Sequence, residues 1–262
     1  MAPPIPITDA QDPRIAVFTA LKERDRIGRD GIFIAEGVTV LAVFLRAPIK
    51  RLAILIDEAR LPRLPLLEAR GNTPLYVAPQ NVLDQIAGYA LHRGILGAGR
   101  IPAPLPLNAL PEGPLRLPVL IGLSNHDNVG GIFRNAAAFG AAAVATDPTT
   151  ADPFYRKAIR VGVGAPLTVP RATFANPKTL FDALKTQEIT PYALSPAGGT
   201  TLPAPLAPRA AFLFGTEGPG LPAAILDRCA RLTVPIAQDF DSLNVATTSG
   251  IVLHAHAAQH GL

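Results

Sequence analysis

Tryptophan is absent from this sequence, cysteine and methionine occur once each, and aromatic residues fill only 6% of its 262 positions. A lone Cys229 excludes an internal disulfide and any metal cage built from several thiolates. The scarcity of aromatic rings argues against a stacking platform for single-stranded nucleic acid. Charged residues are also sparse, at 17% against 48% hydrophobic, the reverse of the balance that leaves chains disordered. No apolar run reaches the roughly 18 residues of a membrane span. The opening MAPPIPITDAQDPR lacks the basic start and apolar stretch of a secretory signal. A cytoplasmic protein without a membrane partner is expected.

Several site signatures are missing too. There is no G-x-x-x-x-G-K-[ST] for a nucleoside triphosphate, and no G-x-G-x-x-G between a strand and a helix for a dinucleotide. The nearest approach to the serine-hydrolase elbow, Gly122-Leu123-Ser124-Asn125-His126, lacks its second glycine. A hydrolase built from Ser242, Asp241 and His254 therefore has no oxyanion motif behind it. His256 and His260 have a metal-ligand spacing but no accompanying carboxylate or thiolate. They read as a solvated helix face, and no metal is expected.

What is present is an alternation of short apolar strands and amphipathic helices, the pattern of an α/β fold. In the first part, IFIAEG (32–37), KRLAILID (50–57), PLYVAP and HRGILGAG read as strands. Residues 13–27, VTVLAVFLRA (38–47), LPLLEARG and NVLDQIAG, with Asn81 as cap, read as helices. Residues 101–118 hold six of the 28 prolines, so 106–116 is expected to be a semi-rigid linker between domains 1–105 and 117–262. The second part alternates again, from LPVLIGLS (117–124) to a closing helix over SLNVATTSGIVLHAHAAQH. Formal net charge is +4; residues 1–105 carry 13 Lys/Arg against 10 Asp/Glu, so the surplus lies mostly there and favours a polyanionic partner.

Three segments following strands carry the chemistry: NHDNVGGIFRNAAAFG (125–140), FGTEGPGL (214–221) and VPIAQDFDSLNVATTSG (234–250). Taken singly, Ser242 is an ordinary helix cap and Asn128, Gly215, Gly218 and Gly220 are ordinary turn residues. Jointly and in order, they resemble the three motifs of the SpoU/TrmH family of RNA 2′-O-ribose methyltransferases, of the SPOUT superfamily. FIAEG (33–37) and HRG (92–94) resemble the RNA-binding domain often appended to that family.

The resemblance implies a C-terminal SPOUT domain with a deep trefoil knot, preceded by a small α/β RNA-binding domain. It implies S-adenosylmethionine as cofactor, held by Ser195, Gly215, Gly220, Val234, Ile236 and Leu243, and a homodimer with its active site at the interface. By motif position it assigns catalysis to Asn128, Arg134, Glu217, Ser242 and Asn244. His126-Asp127 stands where many members carry an aspartate-proline pair, which bears on the shape of the substrate-side loop. A guanidinium does not readily deprotonate, so Arg134 is expected to hold phosphate and stabilise a developing alkoxide. Glu217 is expected to orient its loop, and Ser242 and Asn244 to orient Arg134 and the cofactor loop through hydrogen bonds. Arg24, Arg26, Arg29, His92-Arg93, Arg156, Lys157 and Arg160 are the expected contacts to structured RNA, ribosomal rather than transfer RNA. A non-catalytic RNA-binding homologue is the alternative, against which the intact motif residues stand.

Overall fold

The computed structural model describes residues 3–19, 31–88, 90–91, 93–195, 198–237, 239 and 241–262. Arg24, Arg26, Arg29 and His92 lie outside these residues. The chain forms two compact units, one of Met1–Pro102 with Phe154–Thr168, the other of Ala103–Pro153 with Val169–Leu262.

The first unit is built on a five-stranded sheet in the order β1-β4-β3-β5-β2. Its strands are β1 (Ile5–Pro6), β2 (Ile32–Glu36), β3 (Arg51–Asp57), β4 (Leu75–Ala78) and β5 (Ile95–Arg100). β3 is central and buries its last five residues in a row, as a strand covered on both faces must. β5 runs antiparallel to both neighbours. Its glycines admit aromatic rings: a methyl at Gly99 would stand 2.6 Å from Phe33 Cζ and 3.1 Å from Phe44 Cε2. Of the helices, α1 is described over Ala16–Thr19, α2 (Val38–Arg46) begins at Gly37, and α3 (Gln80–Ala87) ends at a left-handed Gly88. Pro79, not Asn81, occupies the cap of α3, because its fixed φ and extended ψ already suit the residue before a first turn. LPLLEARG forms a 3-10 turn rather than an α-helix.

Residues 154–168, expected with the second domain, complete the core of the first. Phe154, Ile159 and Leu167 are buried with Phe33, Val40, Phe44 and Ile54. Here α5 (Arg156–Val161) carries Arg156, whose guanidinium lies 3.3 Å from the buried carboxylate of Glu36. Gly164 follows with its α-carbon against Val43, where a methyl would meet Val43 Cβ at 2.9 Å.

The second unit holds a seven-stranded sheet in the order β10-β12-β9-β11-β6-β7-β8, with every pair parallel. Its strands are β6 (Leu115–Leu120), β7 (Val144–Thr146), β8 (Arg171–Thr173), β9 (Thr190–Leu194), β10 (Thr200–Thr201), β11 (Arg209–Phe214) and β12 (Ala230–Thr233). The helices are α4 (His126–Ala138), α6 (Pro177–Thr186), α7 (Ala223–Leu226) and α8 (Val245–His260). β6 and β11 lie side by side as near-continuous buried runs. Asn176 and Thr179 form a reciprocal capping box on α6.

The proline-rich segment is packed rather than free. Leu107 and Leu110 join the core of the second unit, and Arg209 donates to the carbonyls of Pro111 at 2.9 Å and Gly113 at 2.6 Å. Its leucines, spaced between the prolines, supply apolar surface that the proline count hides.

The closing helix also departs from expectation. His256 is fully buried rather than solvated, accepting from Arg116 Nε at 3.2 Å and lying 3.0 Å from the Ala207 carbonyl through Nε2. Burial pushes its pKa down to about 4. No helix among the described residues is long and apolar enough to cross a membrane.

Candidate active site

In parallel α/β sheets, ligands meet the carboxyl ends of the strands. Here a cavity of about 370 Å³ opens at the carboxyl ends of three neighbouring strands, β12, β9 and β11. Leu194 and Ser195 end β9, Phe214 and Gly215 end β11, and Leu232 and Val234 come from β12 and its exit. The remaining wall comes from Thr216, Glu217, Gly218 and Gly220 on one side and Ile236, Ser242, Leu243, Asn244, Val245 and Thr248 on the other. All six residues expected to hold the cofactor therefore line one cavity, together with Glu217, Ser242 and Asn244.

The second motif is a tight loop held by its own backbone. Gly220 N–H donates to the Thr216 carbonyl at 3.0 Å, and Thr216 Oγ1 donates to the Gly220 carbonyl at 3.2 Å. A methyl at Gly215 would stand 2.4 Å from the Gly220 carbonyl carbon. Only glycine lets the two arms of this loop close, and that closure turns backbone toward the cavity.

The loop of the third motif ends at Asn244, which caps α8: its Oδ1 accepts from Ala246 N at 2.9 Å and Thr247 N at 3.2 Å. Ser242 is not the cap. Asn244 Nδ2 then donates to Asn128 Oδ1 at 2.8 Å, and Asn128 Nδ2 donates to Glu217 Oε1. The result is a directed chain of hydrogen bonds from a helix N-terminus to a carboxylate in the cavity wall. Each amide has one role as donor and one as acceptor, so both orientations are fixed by the network. Asn128 is buried, at 4% exposure, and half a network in such a place would cost more than none.

α4 brings Asn128 to this chain. Asn125 caps the helix by accepting from Asp127 N at 2.8 Å. Close contact with α8 fixes the helix in place: a methyl on Gly131 would meet Ala246 Cβ at 2.8 Å. Asn135 Nδ2 donates to the Ala246 carbonyl at 2.7 Å and to Ser249 Oγ at 2.9 Å.

Arg134 is not brought to the cavity of its own chain. It lies on the exposed side of α4 with no hydrogen bond or ion pair among the described residues. Six residues of helix place it about 9 Å along the axis from Asn128 and roughly 120° around it. His254 rests edge-on against Phe139, ring centroids 5.7 Å apart, and does not line the cavity that Ser242 lines. In the first unit, Arg93 lies exposed, its Cδ 3.0 Å from where a methyl on Gly37 would be, and Arg160 is exposed on α5. Phe214, Thr216, Leu232, Val245 and Thr248 are cavity residues that the sequence did not single out. Their neighbours in the motifs were its only signal. Among the described residues, no three His, Cys, Asp or Glu side chains gather as a metal-binding group.

A parallel sheet with a glycine-walled cleft at its carboxyl edge, its wall tied by a polar chain to two helices, is the arrangement in which α/β folds hold ligands. Residues 117–254 match the SpoU rRNA Methylase family, and the chain belongs to it. An uncharacterized tRNA/rRNA methyltransferase of Mycobacterium tuberculosis is 36% identical over 260 residues, covering 95% of this chain and 90% of its own. The 23S rRNA (guanosine-2′-O-)-methyltransferase RlmB of Escherichia coli is 28% identical over 228 residues, 82% of this chain and 93% of that protein. The fold is that of an AdoMet-bound rRNA methyltransferase from Sinorhizobium meliloti, with a TM-score of 0.81, 23% identity and 97% of both chains covered.

Proposed function

We propose that the protein transfers the methyl group of S-adenosylmethionine to a ribose 2′-hydroxyl of structured RNA, with ribosomal RNA as the substrate class. The observation that carries this reading is a cavity walled by the second and third motif loops, to which the first motif is tied by the Asn244–Asn128–Glu217 chain. The lining suits the cofactor. Leu194, Leu232, Ile236 and Leu243 offer apolar walls for a purine, and Gly215 and Gly220 let backbone approach closely. Glu217 faces the cavity with a carboxylate for a cationic group. The cofactor supplies an electrophilic methyl on a sulfonium.

The chain's own residues then have three tasks. The cavity walls hold the donor in line with the attacking oxygen, and positioning of this kind is worth up to roughly 7–11 kcal/mol of barrier. Glu217, fixed by Asn128, orients the second motif. Arg134 holds RNA phosphate and stabilises the alkoxide as the 2′-hydroxyl loses its proton to phosphate or water, a contribution of about 3 kcal/mol for such a donor.

Because Arg134 is exposed and does not line the cavity of its own chain, we assign it to the cavity of a second copy. The faces beside it support a homodimer. α8 carries no Lys, Arg, Asp or Glu, and its exposed Thr247, Ile251, His254 and Ala258 recur at helical spacing. Ala137 and Ala138 of α4 are exposed as well, and the Phe139–His254 contact joins the two helices. In this reading β12, seated between β9 and β10, and α8, returned against α4, belong to a trefoil-knotted segment. Arg93 and Arg160 are the RNA phosphate contacts of a substrate-binding first unit, while Arg156 is engaged with Glu36.

The test is incubation with methyl-labelled cofactor and total RNA, followed by alkaline hydrolysis. An alkali-resistant dinucleotide in ribosomal RNA is the expected product. Label in a base-methylated nucleotide, or in no RNA at all, would overturn the assignment; label in transfer RNA would overturn the substrate class.

A further inference from the structure

Asp147 stands outside the cavity and outside all three motifs, yet its carboxylate ties the loop after β7 to the loop after β6. It follows β7 directly. Its Oδ1 accepts from Gly122 N at 3.1 Å, Thr150 N at 2.9 Å and Thr150 Oγ1 at 2.6 Å, and its Oδ2 accepts from Thr149 Oγ1 at 2.6 Å. Its own N–H donates to the Leu120 carbonyl at 3.2 Å, and Ala151 N donates to the Leu123 carbonyl at 2.7 Å. The loop after β7 is thereby stapled to the loop after β6, which runs on through Asn125 into α4.

Gly122 is the point where this staple meets the cavity wall. It sits in the left-handed region at φ +70°, and a methyl there would stand 2.9 Å from Thr216 Cγ2. The Gly122 α-carbon is thus the backstop of Thr216, the residue before Glu217, and Asp147 holds its N–H. Burial acts to raise the Asp147 pKa, but the bonds from Thr149, Thr150 and Gly122 outweigh it and hold the carboxyl below its ordinary value. With four hydrogen bonds to its two oxygens, this carboxylate serves as a structural acceptor.

We propose that Asp147 is a positioning residue, which sets the Thr216–Glu217 wall of the cavity through Gly122. The proposal rests on reading that cavity as the methyl-donor site. It assigns the shape of the substrate-side loop, where His126-Asp127 replaces the more usual aspartate-proline pair, to a carboxylate on the adjacent strand.

Two measurements on the full-length protein test it. The first is amide hydrogen exchange without ligand. Asp147→Ala is expected to speed exchange at Gly122, Thr150 and Gly220, whose N–H closes the second-motif loop, while β6 and β11 keep their protection. Unchanged exchange at Gly220, or equal loss across both strands, would overturn the proposal. The second is turnover at saturating RNA and cofactor, scaled to the fraction of molecules that bind S-adenosylmethionine. Asp147→Ala is expected to lose between about ten- and a hundredfold, in the range that a small misplacement of reacting groups costs. Asp147→Asn keeps a carbonyl acceptor for Gly122 and Thr150 and is expected to recover most of that loss. Turnover of Asp147→Ala within twofold of wild type, or an equal loss in Asp147→Asn, would sink the role. If wild-type protein methylates no RNA, the functional reading fails, while the exchange measurement still decides whether Asp147 sets the loop.

Discussion

Arg116 donates from Nε to His256 Nδ1 at 3.2 Å, a bond between the first strand and the last helix of the second unit. An arginine can only donate, so His256 keeps its proton on Nε2 and gives it to the Ala207 carbonyl at 3.0 Å. The same guanidinium donates to the carbonyls of Phe139 and Gly261, just past the ends of α4 and α8. Arg116 thus clamps together the two helices that carry Asn128 and Asn244, and the clamp requires a neutral imidazole.

This requirement fixes a pH dependence of stability. Burial, reinforced by the charge of Arg116, lowers the His256 pKa from 6.5 to about 4 in the folded chain. Below pH 6.5 the unfolded chain takes up a proton that the folded chain refuses, so stability falls as pH drops towards 4 and levels off beneath it. The expected loss at pH 5 is about 2 kcal/mol relative to pH 8. Urea unfolding at the two pH values checks this, with His256→Gln as the reference that does not titrate. An equal loss in both proteins would show that the acid sensitivity lies elsewhere.

Asn128 offers a second pH signature. Its amide donates to Glu217 and accepts from Asn244, and no carboxylate does both unless it is protonated. Asn128→Asp would set two carboxylates side by side, and such a pair retains one proton well above the ordinary range. We expect turnover at pH 8 to fall at least tenfold, with partial recovery towards pH 6 as the shared proton restores a donor, since losing a buried charged-group bond costs on the order of 1.5–3 kcal/mol. The ratio of variant to wild-type rate across that interval is the measurement. A flat ratio would mean that Asn128 acts by shape alone.

The alternation of strands and helices was legible because apolar runs and glycine stops mark each element, and the three loops stood out by composition. Their meeting was not legible from spacing. Asn128, Glu217 and Asn244 are separated by 89 and 27 positions, and only the order of parallel strands brings them together. His256 misled because a polar residue four positions from another histidine resembles a wet face; its burial depends on Arg116, 140 residues away. Asp147 gave no signal, since an Asp-Pro-Thr-Thr run reads as any turn. The run PFYRKAIRVGVG reads as a helix ending in glycines, without saying which sheet it would cover.

That last point yields a prediction about folding units. Phe154 and Ile159 are buried at 1% and 0% exposure, and Leu167 at 3%, all in the core of the first unit. Removing such a side chain costs roughly 2–5 kcal/mol each, and three together match the whole stability of an ordinary domain, about 5–15 kcal/mol. A fragment of residues 1–105 is expected to lack a cooperative thermal transition. The same fragment with residues 154–168 fused through a flexible linker is expected to melt sharply. Circular dichroism melts of the two decide it; a cooperative melt of the short fragment would show that its core closes without the added segment.

Arg134 tests the assembly of the site. It has no partner among the described residues and does not line the cavity of its own chain. If it serves the cavity of a second copy, two inactive chains can complement each other. Arg134→Ala leaves the cavity intact and lacks the guanidinium; Ile236→Trp fills the cavity and keeps the guanidinium. In a hybrid dimer, one cavity then meets one arginine. Random pairing gives half of all dimers as hybrids with one working site of two, so about a quarter of wild-type turnover is expected from the co-expressed mixture. Each variant alone is expected to be inactive, with cofactor binding kept in the first and lost in the second. A mixture as inactive as its components would return Arg134 to its own subunit's cavity and require α4 to move before transfer.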